Sequence, residues 1–146
     1  MIALIQRVNH ASVHTDDGLA GEIGRGILAL IGVEKHDEWP QAEKLGEKLL
    51  NYRIFPDSDD RMNLSLRDTG YELLLVSQFT LAASTRKGNR PGFDNAMSPQ
   101  AAEAFFARFC AHMQQLAPGK IQSGRFAAHM RVNLENDGPV TFWLQY

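Results

Sequence analysis

The sequence predicts a mixed α/β fold, with largely antiparallel β-sheets forming a barrel-like or sandwich core flanked by two main helices. Three observations carry this expectation. A β-branched opening segment is followed by Asp16-Asp17-Gly18 and a second strand-like run, which is hairpin chemistry. Two later stretches, beginning near residues 37 and 98, carry helix-start residues and apolar spacing. The order is hairpin, strand, helix, strand, helix, then strands again, unlike the regular alternation of a βαβ array.

Each element has its own reason. IALIQRVNHASVHT (2–15) reads as the first strand, since polar and apolar residues alternate at its centre, and LAGEIG (19–24) reads as the returning one. GILALIGVE (26–34) is a continuous apolar run, the pattern of a strand buried on both faces. The glycines of GEIGRG (21–26) lack the order G-x-G-x-x-G and open no helix, so they read as a turn. Asp37 is the expected cap of a helix through EWPQAEKLGEKLLNYRIF (38–55), with Pro40 in its first turn. Ala42, Leu45, Leu49 and Tyr52 recur there at helical spacing and should face a core. PDSDDRMNLSLRDTG (56–70) reads as a polar loop, and YELLLVSQFTLAA (71–83) as the clearest buried strand. After the polar loop STRKGNRPGFDNAMS, Ser98 and Pro99 begin a helix reaching about Gln115. GKIQSGRF, HMRVNLEN and VTFWLQY read as strands, the last two joined by a turn at Asp137-Gly138-Pro139.

The 146 residues fit one domain, 1–146, long enough to bury a substantial core. With 44% hydrophobic and 22% charged residues, the composition is that of a soluble globular protein. A net charge of −2 supplies no overall basic field, so any contact with nucleic acid must rest on a local patch. Cys110, the one cysteine, cannot form an intrachain disulfide, and its apolar surroundings read as a buried structural thiol. The start lacks the pattern of a secretory signal, and no apolar run is long enough to span a bilayer, so a cytoplasmic protein is expected.

Few motifs suggest chemistry on their own. The five histidines have no metal-ligand spacing, and neither a metal site nor a cofactor is expected. G-x-S-x-G is absent, and STRK (84–87) matches S-x-x-K without its companion motifs. SQFTL (77–81) is more informative, because Ser77, Gln78 and Thr80 interrupt the apolar run Leu73–Val76. On an extended chain Gln78 and Thr80 would share one face, opposite Ser77 and Phe79. Either these polar groups are paired at a strand end or they line a site. Thr80 would be a poor nucleophile, since no base lies near it in sequence. Just beyond, Arg86, Lys87 and Arg90 form a basic loop able to hold phosphates.

Taken together, MNLSL, SQFTL, RKGNRPGF and NDGPVT, in this order and spacing, resemble the D-aminoacyl-tRNA deacylase family, and the similarity runs from RVNHASV to the last strand. The resemblance implies a homodimer of β-sheets flanked by helices, acting on the ester between a D-amino acid and the terminal adenosine of tRNA. It implies that Ser77, Gln78, Phe79 and Thr80 surround the adenosine and the ester, with Thr80 and Gln78 nearest the chemistry. Gly138 and Pro139 match a cis Gly-Pro segment inserted into the partner's site as a chirality filter. Arg7 matches an arginine that holds that segment, and Phe126 an aromatic packed around the adenine. Ala127 departs from the pattern, standing where relatives often have glycine. Because glycine has no side chain to exclude, glycyl-tRNA is an expected substrate beside D-aminoacyl-tRNA.

Overall fold

The computed structural model describes residues 1–146. Its centre is β1 (Ile2–Thr15), long enough to pair with three other strands. One edge of β1 takes β2 (Gly18–Ile23) along its second half and β3 (Gly26–Gly32) along its first, both antiparallel. Beyond β3 the sheet turns parallel, through β6 (Glu72–Ser77) to β7 (Ile121–Ser123). The other edge of β1 is covered by β8 (Arg131–Gln145), making a nearly closed, mixed six-stranded sheet. Two main helices, α1 (Trp39–Asn51) and α3 (Pro99–Leu116), accompany it.

Two-residue periodicity divides the apolar runs between two cores. Ile27, Ala29 and Ile31 of β3, with Leu73 and Leu75 of β6, join Leu45 and Leu49 of α1 and Phe109 and Met113 of α3. The alternate residues Leu28, Leu74 and Val76 face the other way, against Val8, Val13 and Ile23. Both sides of β3 and β6 are therefore dry, which is why their sequences read as unbroken apolar runs. The β3–β6 contact is close as well: a side-chain carbon on Gly26 would fall on the Glu72 carbonyl. Truncating Phe109, fully buried, should cost about 3–5 kcal/mol.

Several local expectations change in the folded chain. The N-cap of α1 is Glu38, whose capping box with Gln41 satisfies the first turn, whereas Asp37 accepts from the Glu34 N–H (2.6 Å) and holds the Met1 ammonium. α1 also stops at Asn51, because Phe55–Pro56 leaves as a short strand, β4, pairing with β5 (Met62–Leu64). The expected loop 56–70 is thus partly regular. It also contains α2 (Leu66–Thr69), capped by a reciprocal Ser65–Asp68 box. The Ser65 hydroxyl, then its N–H, hold the Asp68 carboxyl below the ordinary carboxylate range. Asn63, followed by the Arg61 and Asp59 N–H groups, does the same to Asp57.

The last expected hairpin is absent. Arg131–Gln145 is one strand, and both its halves pair with the same neighbour: Arg131–Glu135 with His14–His10, and Thr141–Gln145 with Gln6–Ile2. A hairpin would have folded the second half back on the first. Instead the register shifts around Val8, and the residues around Gly138 form a bulge within a continuous strand. The stretch 119–126 is also less regular than expected, with only Ile121–Ser123 extended.

Candidate active site

SQFTL marks the point where β6 ends. The Gln78 N–H donates to the Ile31 carbonyl at 2.7 Å, the last link to β3, and Phe79–Ala82 then winds into one 3₁₀ turn. The chain is therefore not extended through Thr80. Gln78 and Thr80 meet across that turn, where Gln78 Nε2 donates to Thr80 Oγ1 at 2.5 Å. Phe79 and Thr80 open the turn, so no carbonyl within it can accept their N–H groups.

Ser77, Gln78 and Phe79 line a cavity of about 720 Å³, with Phe126 on its wall. Most of the remaining lining is apolar, from the ends of β3 and β6, the start of α3 and residues 126–132. A large apolar cavity with few convergent polar groups is the usual form of a small-molecule or nucleoside site. Phe126 packs on Phe106 of α3, with ring centroids 6.2 Å apart. Its neighbour Ala127 has φ +57°, a conformation costly for any residue with a Cβ. That backbone geometry accounts for the glycine expected at this position.

Arg86, Lys87 and Arg90 are exposed on a loop clasped at its base by two hydrogen bonds between Ser84 and Gly92 (2.8 and 3.0 Å). Phe93 follows the clasp and lines the cavity, as do Met97 and His129. None of these three was singled out in the sequence. An aromatic directly after a cationic loop was the available signal for Phe93, whereas Met97 and His129 carried none, since helix-start and strand-start positions do not announce a cavity.

Gly138 and Pro139 do not line the cavity of their own chain. They are exposed on the bulge of β8, and the peptide between them is cis. Arg7 ties this bulge to the rest of the molecule. Its Nε donates to the Asp137 carbonyl (2.9 Å), its Nη1 to the Ile54 carbonyl (2.7 Å), and it pairs with the Asp137 carboxylate at 3.2 Å. Asn136 closes the bulge from the other side, accepting from the Val140 N–H at 2.7 Å. Gly138 has φ +144°, and a Cβ there would lie 2.6 Å from a methyl of Val140. Only glycine fits.

The model of the D-Tyr-tRNA(Tyr) deacylase family matches residues 4–145. The chain belongs to this family. D-aminoacyl-tRNA deacylases of Dichelobacter nodosus and Xanthomonas axonopodis pv. citri are each 57% identical to it, over 99% of both chains compared. That of an Enterobacter species is 54% identical over the same share. Among solved structures, a c-Myc DNA unwinding element binding protein superposes with a TM-score of 0.95 at 40% identity, covering 100% of this chain and 99% of that one. A probable eukaryotic D-amino acid tRNA deacylase shares the fold, with a TM-score of 0.84 at 18% identity over 98% of this chain and 97% of that one.

Within this hydrolase family, Cys110 has no visible part in the chemistry. Burial pushes its thiol up to about 12, outweighing the opposing hydrogen bond to Ser123. No helix is long and apolar enough to cross a membrane.

Proposed function

We propose that this protein, one deacylase domain over residues 1–146, hydrolyses the ester between a D-amino acid and the 3′-terminal adenosine of tRNA in the cytoplasm. The observation that carries the reading is that Ser77, Gln78 and Phe79 line an apolar cavity where β6 gives way to the 3₁₀ turn, with an exposed cationic loop just beyond it in the chain. The cavity suits the adenine, with Phe126 on its wall. The open N–H groups of Phe79 and Thr80 suit the oxyanion formed when the ester carbonyl is attacked. Arg86, Lys87 and Arg90 suit the phosphates leading to it.

Water, assisted by the ribose 2′-hydroxyl, is the nucleophile in this reading. The side-chain partner of Thr80 is the Gln78 amide, which donates to it and is no base. The protein contributes position and hydrogen bonds rather than a covalent intermediate. Neither a metal nor a cofactor enters the scheme.

Chirality is decided by Gly138-Pro139. The bulge lies outside its own chain's cavity, which is consistent with the homodimer that the family resemblance implies, where it serves the cavity of a second copy. Backbone held where an L side chain would point excludes L-aminoacyl esters and leaves room for D-aminoacyl ones. Glycine passes the same filter, so glycyl-tRNA is also a substrate.

Deacylation of matched D- and L-tyrosyl-tRNA in the presence of a chelator tests this directly. Rapid loss of the D ester alone is expected. Loss of both esters would return Gly138-Pro139 to a structural bulge. A protein that binds the tRNA end and cleaves neither ester would be a non-catalytic module. Affinity for the tRNA ester should also fall steeply with ionic strength, whereas a hydrolase of small D-amino-acid esters would hardly respond.

A further inference from the structure

Phe79 and Phe93 are large apolar side chains left exposed in the single chain. Phe79 is 59% exposed and Phe93 41%, yet they touch each other, with ring centroids 5.1 Å apart and planes tilted by 52°. Both rings border the cavity mouth. Single exposed apolar residues need no explanation, but two adjacent aromatic faces at a cavity mouth do. Their surroundings indicate the occupant. Phe93 directly follows the Ser84–Gly92 clasp that closes the loop carrying Arg86, Lys87 and Arg90, so the ring and the cations share one segment. Aromatic faces beside a cationic track are the usual means of holding single-stranded nucleic acid, the rings taking bases and the cations taking backbone phosphates.

We infer that Phe93, backed by Phe79, is a stacking platform for the penultimate base of the RNA 3′ end. This inference rests on the deacylase reading and extends it by one nucleotide. With the terminal adenine in the cavity, the next base lies at the mouth, between the cavity and the loop that holds its phosphate. A π-face accepts any base, so the platform lengthens the contact with the RNA end without reading its sequence.

The test compares binding of adenosine with binding of the unacylated trinucleotide CCA, by titration, in the wild type and in Phe93→Ala, Phe93→Leu and Phe93→Tyr. Stacking predicts that Phe93→Ala and Phe93→Leu weaken the trinucleotide, relative to adenosine, by about tenfold. Phe93→Tyr, which keeps the ring, should restore the wild-type ratio. With D-aminoacyl esters of the same two ligands, KM should rise more for the longer one than for the shorter. An unchanged ratio in Phe93→Ala overturns the proposal, and so does full rescue by leucine, which would make Phe93 a packing residue. A wild type that binds the trinucleotide but hydrolyses neither ester would instead sink the deacylase reading and leave the binding result standing.

Discussion

Replacing Arg7 should loosen the bulge on which the chirality filter depends. The side chain is only 12% exposed and spans two otherwise separate segments, donating to the Ile54 and Asp137 carbonyls at 2.7 and 2.9 Å. Charge-assisted hydrogen bonds contribute about 1.5–3 kcal/mol each, and the lower figure suits a site open to water on one side. The ion pair to Asp137, whose side chain is 31% exposed, adds less than about 1 kcal/mol. Arg7→Ala should therefore cost about 3–4 kcal/mol. Arg7→Lys should cost about half of that, since one ammonium lacks the planar fork that reaches both carbonyls.

Urea unfolding measures the total, and hydrogen exchange locates it. The Val140 N–H, which donates to Asn136, should lose protection in Arg7→Ala before the N–H groups of β3 do. Discrimination between D- and L-tyrosyl-tRNA should weaken in the same variant. A stability within about 1 kcal/mol of wild type, with Val140 exchange unchanged, would refute the assignment of Arg7 as the tie.

Three other changes test separate parts of the argument. Thr80→Ala should keep the deacylation rate within about tenfold of wild type, whereas a loss of several orders of magnitude in single-turnover kinetics would establish covalent attack. Ala127→Gly should stabilise the protein by about 0.5 kcal/mol, because relief of a left-handed alanine (about 1–2 kcal/mol) exceeds the added freedom of the unfolded chain (about 0.4–1 kcal/mol); a lower urea midpoint would contradict the backbone argument. Cys110 should resist alkylation in the native protein and react on unfolding. Its thiol titrates higher in the folded state than the ordinary 9.0, so the folded protein holds the proton longer. Stability should consequently fall as pH rises from about 9 toward 12, and Cys110→Ala should flatten that part of the profile.

Much of this protein was legible residue by residue. The unbroken apolar runs of β3 and β6, the helical spacing of Ala42, Leu45 and Leu49, and the Asp-Gly turn after β1 are local patterns that the fold keeps, whereas Tyr52, expected on the same helical face, lies just past the end of α1 and is only half-buried. Local chemistry misled where a distant partner outbid it. Asp37 has the residue type of a cap, but its carboxylate is taken by the Met1 ammonium and the Glu34 N–H, leaving Glu38 to begin the helix. Asp137-Gly138-Pro139 has the residue types of a turn, yet β1 is long enough to pair on both sides of it, and a bulge keeps those pairings where a turn would lose half of them.

The functional residues divide along the same line. Ser77, Gln78 and Thr80 could be singled out in the sequence because polar residues ending an apolar strand are locally conspicuous, whereas Phe79 came only with the family resemblance. That Gln78 turns back onto Thr80, that Phe93 comes to rest on Phe79, and that Arg7 reaches Asp137 depended on the closed sheet. A sequence specifies which faces are apolar and where the chain can bend, because those are properties of a few neighbouring residues. Which bends meet is decided only when β1 gathers strands from both ends of the chain, since burial and backbone pairing are satisfied together in that one arrangement.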